Sequence, residues 1–492
     1  MVEQIIILLL PAIASLVSVN WIFLKILSIA KRKGLVDNPN SRKLQKNPVP
    51  VLGGLAVVFG LLSGMAVYVA VCMILNISVT TMGVSLLPII LCCSIMLYVG
   101  SLDDILGLTA KSRLIIEVLT MLVLIFGSGL CVDSLHGLWG VENFSWWIAV
   151  PLTVFAGVGI INAYNMVDGV NGLSSGLCIT CSVILGVICL KRMDLADAAL
   201  SFCFAASLVP FLLHNVFGKR SRMFIGDGGT MVMGLLVSWF TIRILSSNNA
   251  DSLTCLAVDG RELGLVAMML AVVCVPVFDT LRVMTSRIMK GKSPFNPDKT
   301  HLHHIFIEVG FSHSTTTSCE IVINVLVCAI WYLVYRLGVS VEVQLYVVIV
   351  FAMLLVWGTY FFLSRIVRKH PRSSLFKWAR TTHFEDTKWW ISLQRWLDME
   401  SFEDFSVLLN KRIEDMDYKE RDTVAIMNYL QGKKAVNVAD IIAESGAEKL
   451  RVYTILFELE QANLIIVLEQ ESLGAPKVVR INSKALENVK VR

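Results

Sequence analysis

Acidic and polar residues that could carry out chemistry occur in short clusters between long apolar runs. The first cluster is the pair Asp103-Asp104 in YVGSLDDILGLTAKSR, at the end of an apolar run. Two adjacent carboxylates can bind a cation, or one of them can accept a proton. Taken alone, the pair is more typical of a solvated helix end.

A second cluster combines amides, a carboxylate and glycines. The stretch NAYNMVDGVNGLSSG contains Asn162, Asn165, Asp168 and Asn171. Its glycines allow tight turns and close backbone approach, and repeated Asn and Asp side chains suit the hydroxyls of a sugar or a nucleotide. A polar loop between two helices would have a similar composition.

A third cluster, FIGDGGTMVMG, places Asp227 among glycines just before another apolar run. Backbone N–H groups at a glycine-rich helix start suit phosphate, and a carboxylate suits the Mg²⁺ that accompanies phosphate. The loop is not a Walker A motif, because the GK[ST] ending is absent.

Histidines form a fourth cluster in PFNPDKTHLHH, at positions 301, 303 and 304. Three histidines within four residues predict either a zinc site or a set of hydrogen-bond donors to a diphosphate or sugar. A surface cluster without function is the remaining interpretation.

The fifth cluster is the basic loop SRKLQKNPVPVLGG, residues 41–54. Its Lys and Arg are explained by the preference of basic residues for the cytoplasmic side of a membrane. That preference does not explain why the loop ends in Pro50, Gly53 and Gly54.

The apolar runs around these clusters predict a membrane protein. The chain has 492 residues, of which 55% are hydrophobic and 16% charged, whereas soluble proteins carry about 25% charged residues. A helix needs about 20 apolar residues to cross the hydrocarbon core. Eleven stretches qualify: 4–30, 51–75, 86–102, 114–132, 146–162, 174–190, 198–216, 229–246, 263–281, 319–336 and 344–366.

The distribution of Lys and Arg predicts the orientation of these spans. Basic residues concentrate in the loops after spans 1, 3, 7 and 9, which the positive-inside rule places in the cytoplasm. The N-terminus is then outside, the C-terminus is inside, and all five clusters lie at the cytoplasmic face. The first run is expected to be a retained span, because it lacks the basic start and cleavage site of a signal peptide.

With all five clusters on one face and in this order, the chain resembles the polyprenyl-phosphate N-acetylhexosamine-1-phosphate transferases. This family includes the phospho-MurNAc-pentapeptide translocase of peptidoglycan synthesis. The resemblance covers about residues 35–335 and is closer to the GlcNAc branch, because the histidine cluster has no peptide-recognition extension. It implies an all-α polytopic membrane protein of about 11 transmembrane helices with a cytoplasmic groove.

The resemblance also implies an activity. Members of the family transfer a sugar-1-phosphate from a UDP-sugar to undecaprenyl phosphate and release UMP, as the first membrane step of a cell-surface polysaccharide pathway. The implied cofactor is Mg²⁺, with Mn²⁺ as an alternative, and the implied location is the bacterial cytoplasmic membrane. A secondary transporter or a membrane-tethered regulator is the alternative function.

Residue roles carry over from the family motif by motif. Asp103 and Asp104 match an aspartate pair, one of which is thought to deprotonate the lipid phosphate, and Asp227 matches the Mg²⁺-binding Asp. Catalytic roles are also implied for Asp168 and Lys111. Phe224 takes the place of an aromatic residue that stacks on uracil. Other substrate contacts are implied for Asn162, Asn165, Asn171, His301, His303, His304 and Lys46.

Two positions depart from the family pattern. Leu44 replaces a histidine of the basic loop, and Asn171 stands where a second Asp is usual. An amide can accept a hydrogen bond from uracil N3–H and can also donate one to cytosine N3. The second departure therefore predicts weaker discrimination between uridine and cytidine donors.

The chain beyond the apolar runs predicts two further parts after a membrane domain of residues 1–368. Residues 369–416 are rich in Trp and either lie in the membrane interface as an amphipathic helix or pack on the protein's own cytoplasmic surface. Residues 417–492 have a helix–helix–helix–hairpin pattern that resembles a winged helix. They hold 11 basic and 11 acidic residues, so nucleic acid is not expected, and a protein partner or a homodimer is the predicted contact.

Overall fold

A computed structural model describes residues 2–37, 48–77, 80–247, 261–294, 299–369, 379, 385, 387–394, 396–398, 418–445, 447, 449–461, 464–470 and 475–482. Most of these residues are helical. Helices α1 to α8 are Val2–Lys33, Gly53–Ile74, Thr80–Leu106, Ala110–Ser128, Trp146–Val167, Leu173–Lys191, Leu195–Val216 and Gly226–Leu245. Helices α9 to α12 are Leu265–Val272, Cys274–Met289, Leu302–Val309 and His313–Arg336. Helices α13 (Val341–Ala352) and α14 (Thr359–Lys369) continue into each other through a π-helical turn at Met353–Gly358.

The described helices confirm a polytopic membrane protein. Nine of them are long and apolar enough to cross a membrane, or ten if the bent pair α9 and α10 is one span. This number is lower than the predicted eleven for two reasons. The fourth predicted span is the 19-residue helix α4, which carries Lys111, Arg113 and Glu117, and the ninth is broken.

The break between α9 and α10 bends the chain by 80° at Val273. A bend of this kind frees backbone groups that must find other partners inside a membrane protein. Asn324 of α12 supplies them, because its side chain accepts a hydrogen bond from the Val275 N–H at 3.0 Å and donates one to the Val272 carbonyl at 2.9 Å.

Helix α8 is buried along almost its whole length and packs against α3 and α5. Its N-terminal end carries Asp227, and its C-terminal end carries Arg243, which pairs with Asp194 and Asp197 at the start of α7. The charged side chains of α8 are therefore confined to its two ends. The N-terminal end is the one that meets the other predicted site residues.

Two short strands bracket the basic loop between α1 and α2. Strands β1 (Val36–Asp37) and β2 (Val49–Pro50) pair antiparallel, with Val36 opposite Pro50. Lys46 lies in this loop, outside the described residues.

The chain divides into two compact units, Met1–Val216 with Arg222–Trp390, and Phe217–Ser221 with Ile391–Arg492. The second unit has its own apolar core, which includes Ile426, Ile441 and Leu456. Its helices are Tyr418–Leu430, Val438–Ser445 and Lys449–Gln461. Its strands β3 (Val436–Asn437), β4 (Ile465–Gln470) and β5 (Pro476–Ile481) form an antiparallel sheet in the order β3-β5-β4.

Another contact inside the second unit involves Asp398. Its carboxylate accepts hydrogen bonds from the backbone N–H groups of Lys219, Arg220 and Ser221, at 3.0 to 3.2 Å, and from the Ser221 hydroxyl at 3.0 Å. Consecutive N–H groups that converge on one carboxylate form a charge-assisted anchor. The anchor fixes the backbone of Lys219, Arg220 and Ser221 within this unit.

Candidate active site

The glycine-rich loop at the start of α8 is wedged between the first turn of α2 and the last turns of α3. A Cβ atom added to Gly54 would lie 2.5 Å from the Cα of Gly229, and one added to Gly100 would clash with the backbone of Gly228. Gly226 has φ of +76°, a conformation that side chains other than glycine rarely adopt. The backbone of the loop can approach both helices only because these positions lack side chains.

Hydrogen bonds join the same loop to the Pro-x-x-Gly-Gly sequence that ends the basic loop. Phe224 donates its N–H to the Pro50 carbonyl at 2.8 Å and accepts from the Gly53 N–H at 2.9 Å. Gly54 donates to the Ile225 carbonyl at 2.7 Å. The preference of basic residues for the cytoplasmic side does not explain Pro50, Gly53 and Gly54. Their backbone groups bind the loop that carries Asp227.

Carboxylates of α3 and α8 meet at this junction. Asp104 accepts a hydrogen bond from the backbone N–H of Asp227 at 3.0 Å. Asp227 in turn accepts a hydrogen bond from the Asn165 side chain at 2.7 Å, and the same Asn165 nitrogen donates to Thr230 at 2.8 Å. The structure therefore brings together residues from three of the predicted clusters, namely the aspartate pair, the Asn-rich stretch and the glycine-rich loop.

Arg113 of α4 is the basic residue that faces this group of carboxylates. Its Nη1 atom lies 3.3 Å from Asp103 and 3.8 Å from Asp227. Asp103 also accepts the Leu108 N–H at 2.6 Å, so both of its oxygens are engaged. Lys111, which the family comparison indicated, is exposed in the first turn of the same helix.

Glu117 is a further site residue that the sequence analysis missed. It is buried one turn after Arg113, with 3.8 Å between their side chains, and it accepts a hydrogen bond from Asn162. A carboxylate inside an otherwise apolar helix is a signal of function in membrane proteins. That signal could have identified Glu117 from the sequence.

Asp168 lies just after α5 and accepts a hydrogen bond from the Ser174 hydroxyl at 2.6 Å. Its side chain is exposed to solvent. The pKa of Asp168 is raised to about 6, because desolvation and the Asp227 charge together outweigh the hydrogen bond from Ser174, which lowers it. A nearby cation would favour the ionised form.

The histidine cluster meets the Asn-rich stretch at Gly169. A Cβ atom on Gly169 would clash with Nε2 of His303, so the two segments are in direct contact. His303 is buried, and its Nδ1 atom has no hydrogen-bond partner among the described residues. Burial, together with the neighbouring His304 and His301, lowers the pKa of His303 well below its ordinary value.

His301 is held from another direction, by a carboxylate that the sequence analysis did not single out. Its Nδ1 atom lies 2.8 Å from Asp279 of α10. The rings of His301 and His303 are nearly parallel, with centroids 5.6 Å apart, and the ring of His304 lies 4.4 Å from that of His303. The three histidines therefore form one group, in which the rings of His301 and His303 are stacked and that of His304 is tilted.

Asn171 lies further from the carboxylates, beside the start of α12. Its N–H donates to Nδ1 of His313 at 3.2 Å, and its carbonyl accepts from Thr317 at 2.9 Å. These bonds fix the backbone of residue 171 and leave its side chain to other partners.

The charge balance of the site favours a cation. Asp103, Asp104 and Asp227 meet a single basic side chain, Arg113, among the contacts that the described residues make. No three His, Cys, Asp or Glu side chains converge to hold a metal within the described part of the chain. Mg²⁺ sites of phosphate-transferring enzymes commonly use one or two carboxylates and take their other ligands from water and substrate phosphates. The residues present fit a site of that kind.

Comparison with known proteins agrees with this arrangement. The family model described as glycosyl transferase family 4 matches residues 86–245, which include the aspartate pair, the Asn-rich stretch and the glycine-rich loop. A relative from Bacillus subtilis (strain 168) is 30% identical over 315 residues, 63% of this chain and 80% of the relative. It is named a probable undecaprenyl-phosphate N-acetylglucosaminyl 1-phosphate transferase.

The chain belongs to the glycosyl transferase family 4. Two other members, from Escherichia coli O157:H7 and Yersinia pestis, are 28% and 29% identical over 58% of this chain and 72% of their own lengths. Both are named undecaprenyl-phosphate alpha-N-acetylglucosaminyl 1-phosphate transferase. The family resemblance drawn from the five clusters is thereby confirmed.

The close packing of the glycine-rich loop generates a first prediction. Gly100→Ala should cut turnover at least ~10-fold and destabilise the protein by ~1–3 kcal/mol, because the added methyl group must displace the backbone beside Asp227. Gly159→Ala is the matched control, since a methyl group there meets no atom within 4 Å. Catalytic rate and thermal unfolding of both variants should be measured in detergent. Wild-type behaviour of Gly100→Ala would show that the loop does not depend on this contact.

Proposed function

We propose that this protein transfers a sugar-1-phosphate, with an N-acetylhexosamine as the sugar, from a UDP-sugar to undecaprenyl phosphate. The lipid phosphate oxygen attacks the β-phosphorus of the donor, the bond from that phosphorus to the bridging oxygen breaks, and UMP leaves. The product is a lipid diphosphate that carries the sugar. Three named relatives with this acceptor support the proposal.

The observation that carries the proposal is the meeting of Asp104, Asp227 and Asn165 at one end of the helix bundle. Phosphoryl transfer needs little covalent chemistry from the protein, which contributes mainly positioning and electrostatic stabilisation. A cluster of carboxylates and amides beside a glycine-rich helix start supplies both. A transporter would instead place its ionisable groups near the middle of the membrane.

Asp227 is the proposed protein ligand of Mg²⁺, with Mn²⁺ as an alternative, and Asp104 and Asp168 lie in the same acidic site. The ion, when bound, would neutralise charge on the donor diphosphate. Asn165 and Arg113 orient the Asp227 carboxylate, because Asn165 contacts Oδ1 and Arg113 contacts Oδ2. Ionisation of Asp168 at neutral pH adds a further negative charge to the site.

The contacts of the aspartate pair suggest a division of labour. Asp103 is occupied by Arg113 and by the Leu108 N–H, so its proposed role is to hold Arg113. Asp104 receives its bond from a backbone N–H and is the better candidate for the base. The lipid phosphate is largely ionised near pH 7, because phosphomonoester second pKa values are about 6. The base therefore removes only a residual proton.

Substrate recognition is assigned to the remaining clusters. His301, His303 and His304 would donate to sugar and diphosphate oxygens, and Phe224 would stack on the uracil. Asn171 is proposed to read the base with less discrimination than an Asp would give, because an amide both donates and accepts.

The domain and membrane assignments are part of the proposal. Residues 1–368 would form the transferase domain in the bacterial cytoplasmic membrane, with the N-terminus outside. Residues 369–416 would connect it to a cytoplasmic, winged-helix-like domain of residues 417–492. The three helices and the antiparallel strands described for the second unit support that last assignment.

The direct test uses the purified full-length protein with Mg²⁺, undecaprenyl phosphate and a panel of UDP-sugars. We expect UMP release that requires both the lipid phosphate and a UDP-N-acetylhexosamine. Absence of UMP release with every sugar, or release without the lipid acceptor, would contradict the proposal.

A second prediction concerns the metal. Asp227→Asn should lower turnover at least ~10²-fold, because it removes a charge that the reaction needs at a fixed position. Asp194→Asn is the matched control, since it removes a carboxylate from an ion pair with Arg243 at the other end of α8. UMP release should be measured across a Mg²⁺ titration. Near-wild-type rates of Asp227→Asn at limiting Mg²⁺ would exclude this residue as the ligand.

A third prediction separates the two adjacent aspartates by pH. If Asp104 is the base, the defect of Asp104→Asn should shrink as the pH rises from about 6 to 9, because less of the lipid phosphate then retains its proton. The defect of Asp103→Asn should stay constant, since its carboxylate holds Arg113. A constant defect for Asp104→Asn would assign this residue to metal binding or structure instead.

A fourth prediction concerns the C-terminal part. A chain truncated after Lys369 should keep lipid-dependent transfer, because the contacts described for the site lie before residue 320 and within the first unit. Activity should be normalised to the amount of folded protein recovered from the membrane. A stably inserted but inactive truncation would show that the tail completes the site.

A further inference from the structure

Asp279 of α10 is a buried carboxylate whose two oxygens contact different side chains. Oδ1 accepts hydrogen bonds from Nη2 and Nε of Arg282, at 2.7 and 3.2 Å, and Oδ2 lies 2.8 Å from Nδ1 of His301. The Leu302 N–H is shared by both oxygens, at 3.1 and 3.2 Å. The side chain of Asp279 is 1% exposed, so these partners rather than water satisfy its charge.

Arg282 fixes the orientation of Asp279. Its guanidinium group donates to the Thr300 carbonyl and lies over the ring of Tyr360, 3.6 Å from the ring centroid. An arginine held on both sides in this way can accept little movement of its carboxylate partner. Asp279 therefore presents Oδ2, and not Oδ1, to His301.

A carboxylate on Nδ1 determines where the histidine carries its protons. Since an ionised carboxylate can only accept hydrogen bonds, Nδ1 must carry a hydrogen atom. Nε2 is then the ring nitrogen left to face a ligand, and it can donate a hydrogen bond only when both ring nitrogens carry hydrogen atoms. His301 is stacked on His303, which itself contacts Gly169 beside Asp168.

We propose that Asp279 is a positioning residue that holds His301 with a hydrogen atom on Nδ1, so that the doubly protonated ring donates a charged hydrogen bond from Nε2 to the donor diphosphate. This inference rests on the proposed function for the identity of the diphosphate. The arrangement of Asp279, His301 and Arg282 itself does not depend on that function.

Asp279→Asn gives a sharp test, because the structure dictates which way the amide must turn. The Oδ1 position faces two N–H groups of the Arg282 guanidinium and therefore requires the amide oxygen. The amide nitrogen must then occupy the Oδ2 position and donate to Nδ1 of His301. The proton of the neutral ring then moves to Nε2. Protonation of Nδ1 would place its N–H against the N–H of the amide, so the doubly protonated ring is disfavoured.

The kinetic experiment is a double-mutant cycle with His301→Gln in the full-length protein. Asp279→Asn should lower kcat at least ~10²-fold as a charge-stabilising group is lost. When Asp279→Asn is added to His301→Gln, kcat should fall little further, because the effects of substituting residues that act as a unit are not additive. Costs that simply add would overturn the inference.

The control for the loss of a buried charge is Glu320→Gln. Glu320 is a buried carboxylate of α12 that interacts electrostatically with Asp279 and Arg282. Its hydrogen bonds do not include one to His301 in the described part of the chain. Its variant should not show the non-additivity with His301→Gln, and equal coupling would indicate a general structural effect.

A spectroscopic measurement separates this inference from the proposed function. With ¹⁵N-labelled histidine, the signals that disappear in His301→Gln identify the ring nitrogens of His301. Nδ1 should be protonated in the wild type and in Glu320→Gln, and unprotonated in Asp279→Asn. An unchanged Nδ1 in Asp279→Asn would overturn the inference whether or not the protein transfers sugar phosphates. If the wild type has no transferase activity but Asp279→Asn still removes the proton from Nδ1, the result counts against the proposed function and not against this inference.

Discussion

Gly54 of α2 and Gly100 of α3 approach the backbone of Gly228 and Gly229 so closely that side chains cannot be accommodated there. This contact sets the position of Asp227, because it brings the backbone N–H of Asp227 within hydrogen-bond distance of the Asp104 carboxylate. Close packing of small residues is a main source of helix association in membranes. In this protein the same packing places the carboxylates of two helices side by side, and the arrangement of the rest of the site follows from it.

The carboxylates gathered in this way are costly unless other groups offset their charge. Arg113 offsets part of it and touches both Asp103 and Asp227. The remaining negative charge is the physical basis for the proposed cation, and the shortage of protein ligands is the basis for the view that substrate phosphates complete its coordination. The raised pKa of Asp168, to about 6, reflects the same environment.

The sequence predicted the parts of this site that lie at the ends of apolar runs. Asp104, Asn165 and Asp227 stood out because each is a polar residue at the end of an apolar run, and the structure places them in contact. Arg113 was counted only as a loop charge, because nothing in a single sequence shows which carboxylate a basic residue will face.

Long-range contacts account for what the sequence analysis missed in the histidine cluster and in the fold. Asp279 precedes His301 by 22 positions, and their pairing depends on the bend between α9 and α10. That bend in turn depends on Asn324 of α12, which satisfies the backbone groups on either side of Val273. An apolar run of the right length predicted an unbroken span, since length and hydropathy carry no information about a partner on another helix.

The most direct test of the account is the affinity for Mn²⁺, measured by electron paramagnetic resonance with and without UDP. An acidic site that lacks a full set of protein ligands should bind the ion weakly by itself and at least ~10-fold more tightly once UDP supplies its phosphates. Asp227→Asn should abolish the tight binding. Equally tight binding in the absence of UDP, or tight binding that survives Asp227→Asn, would contradict the account.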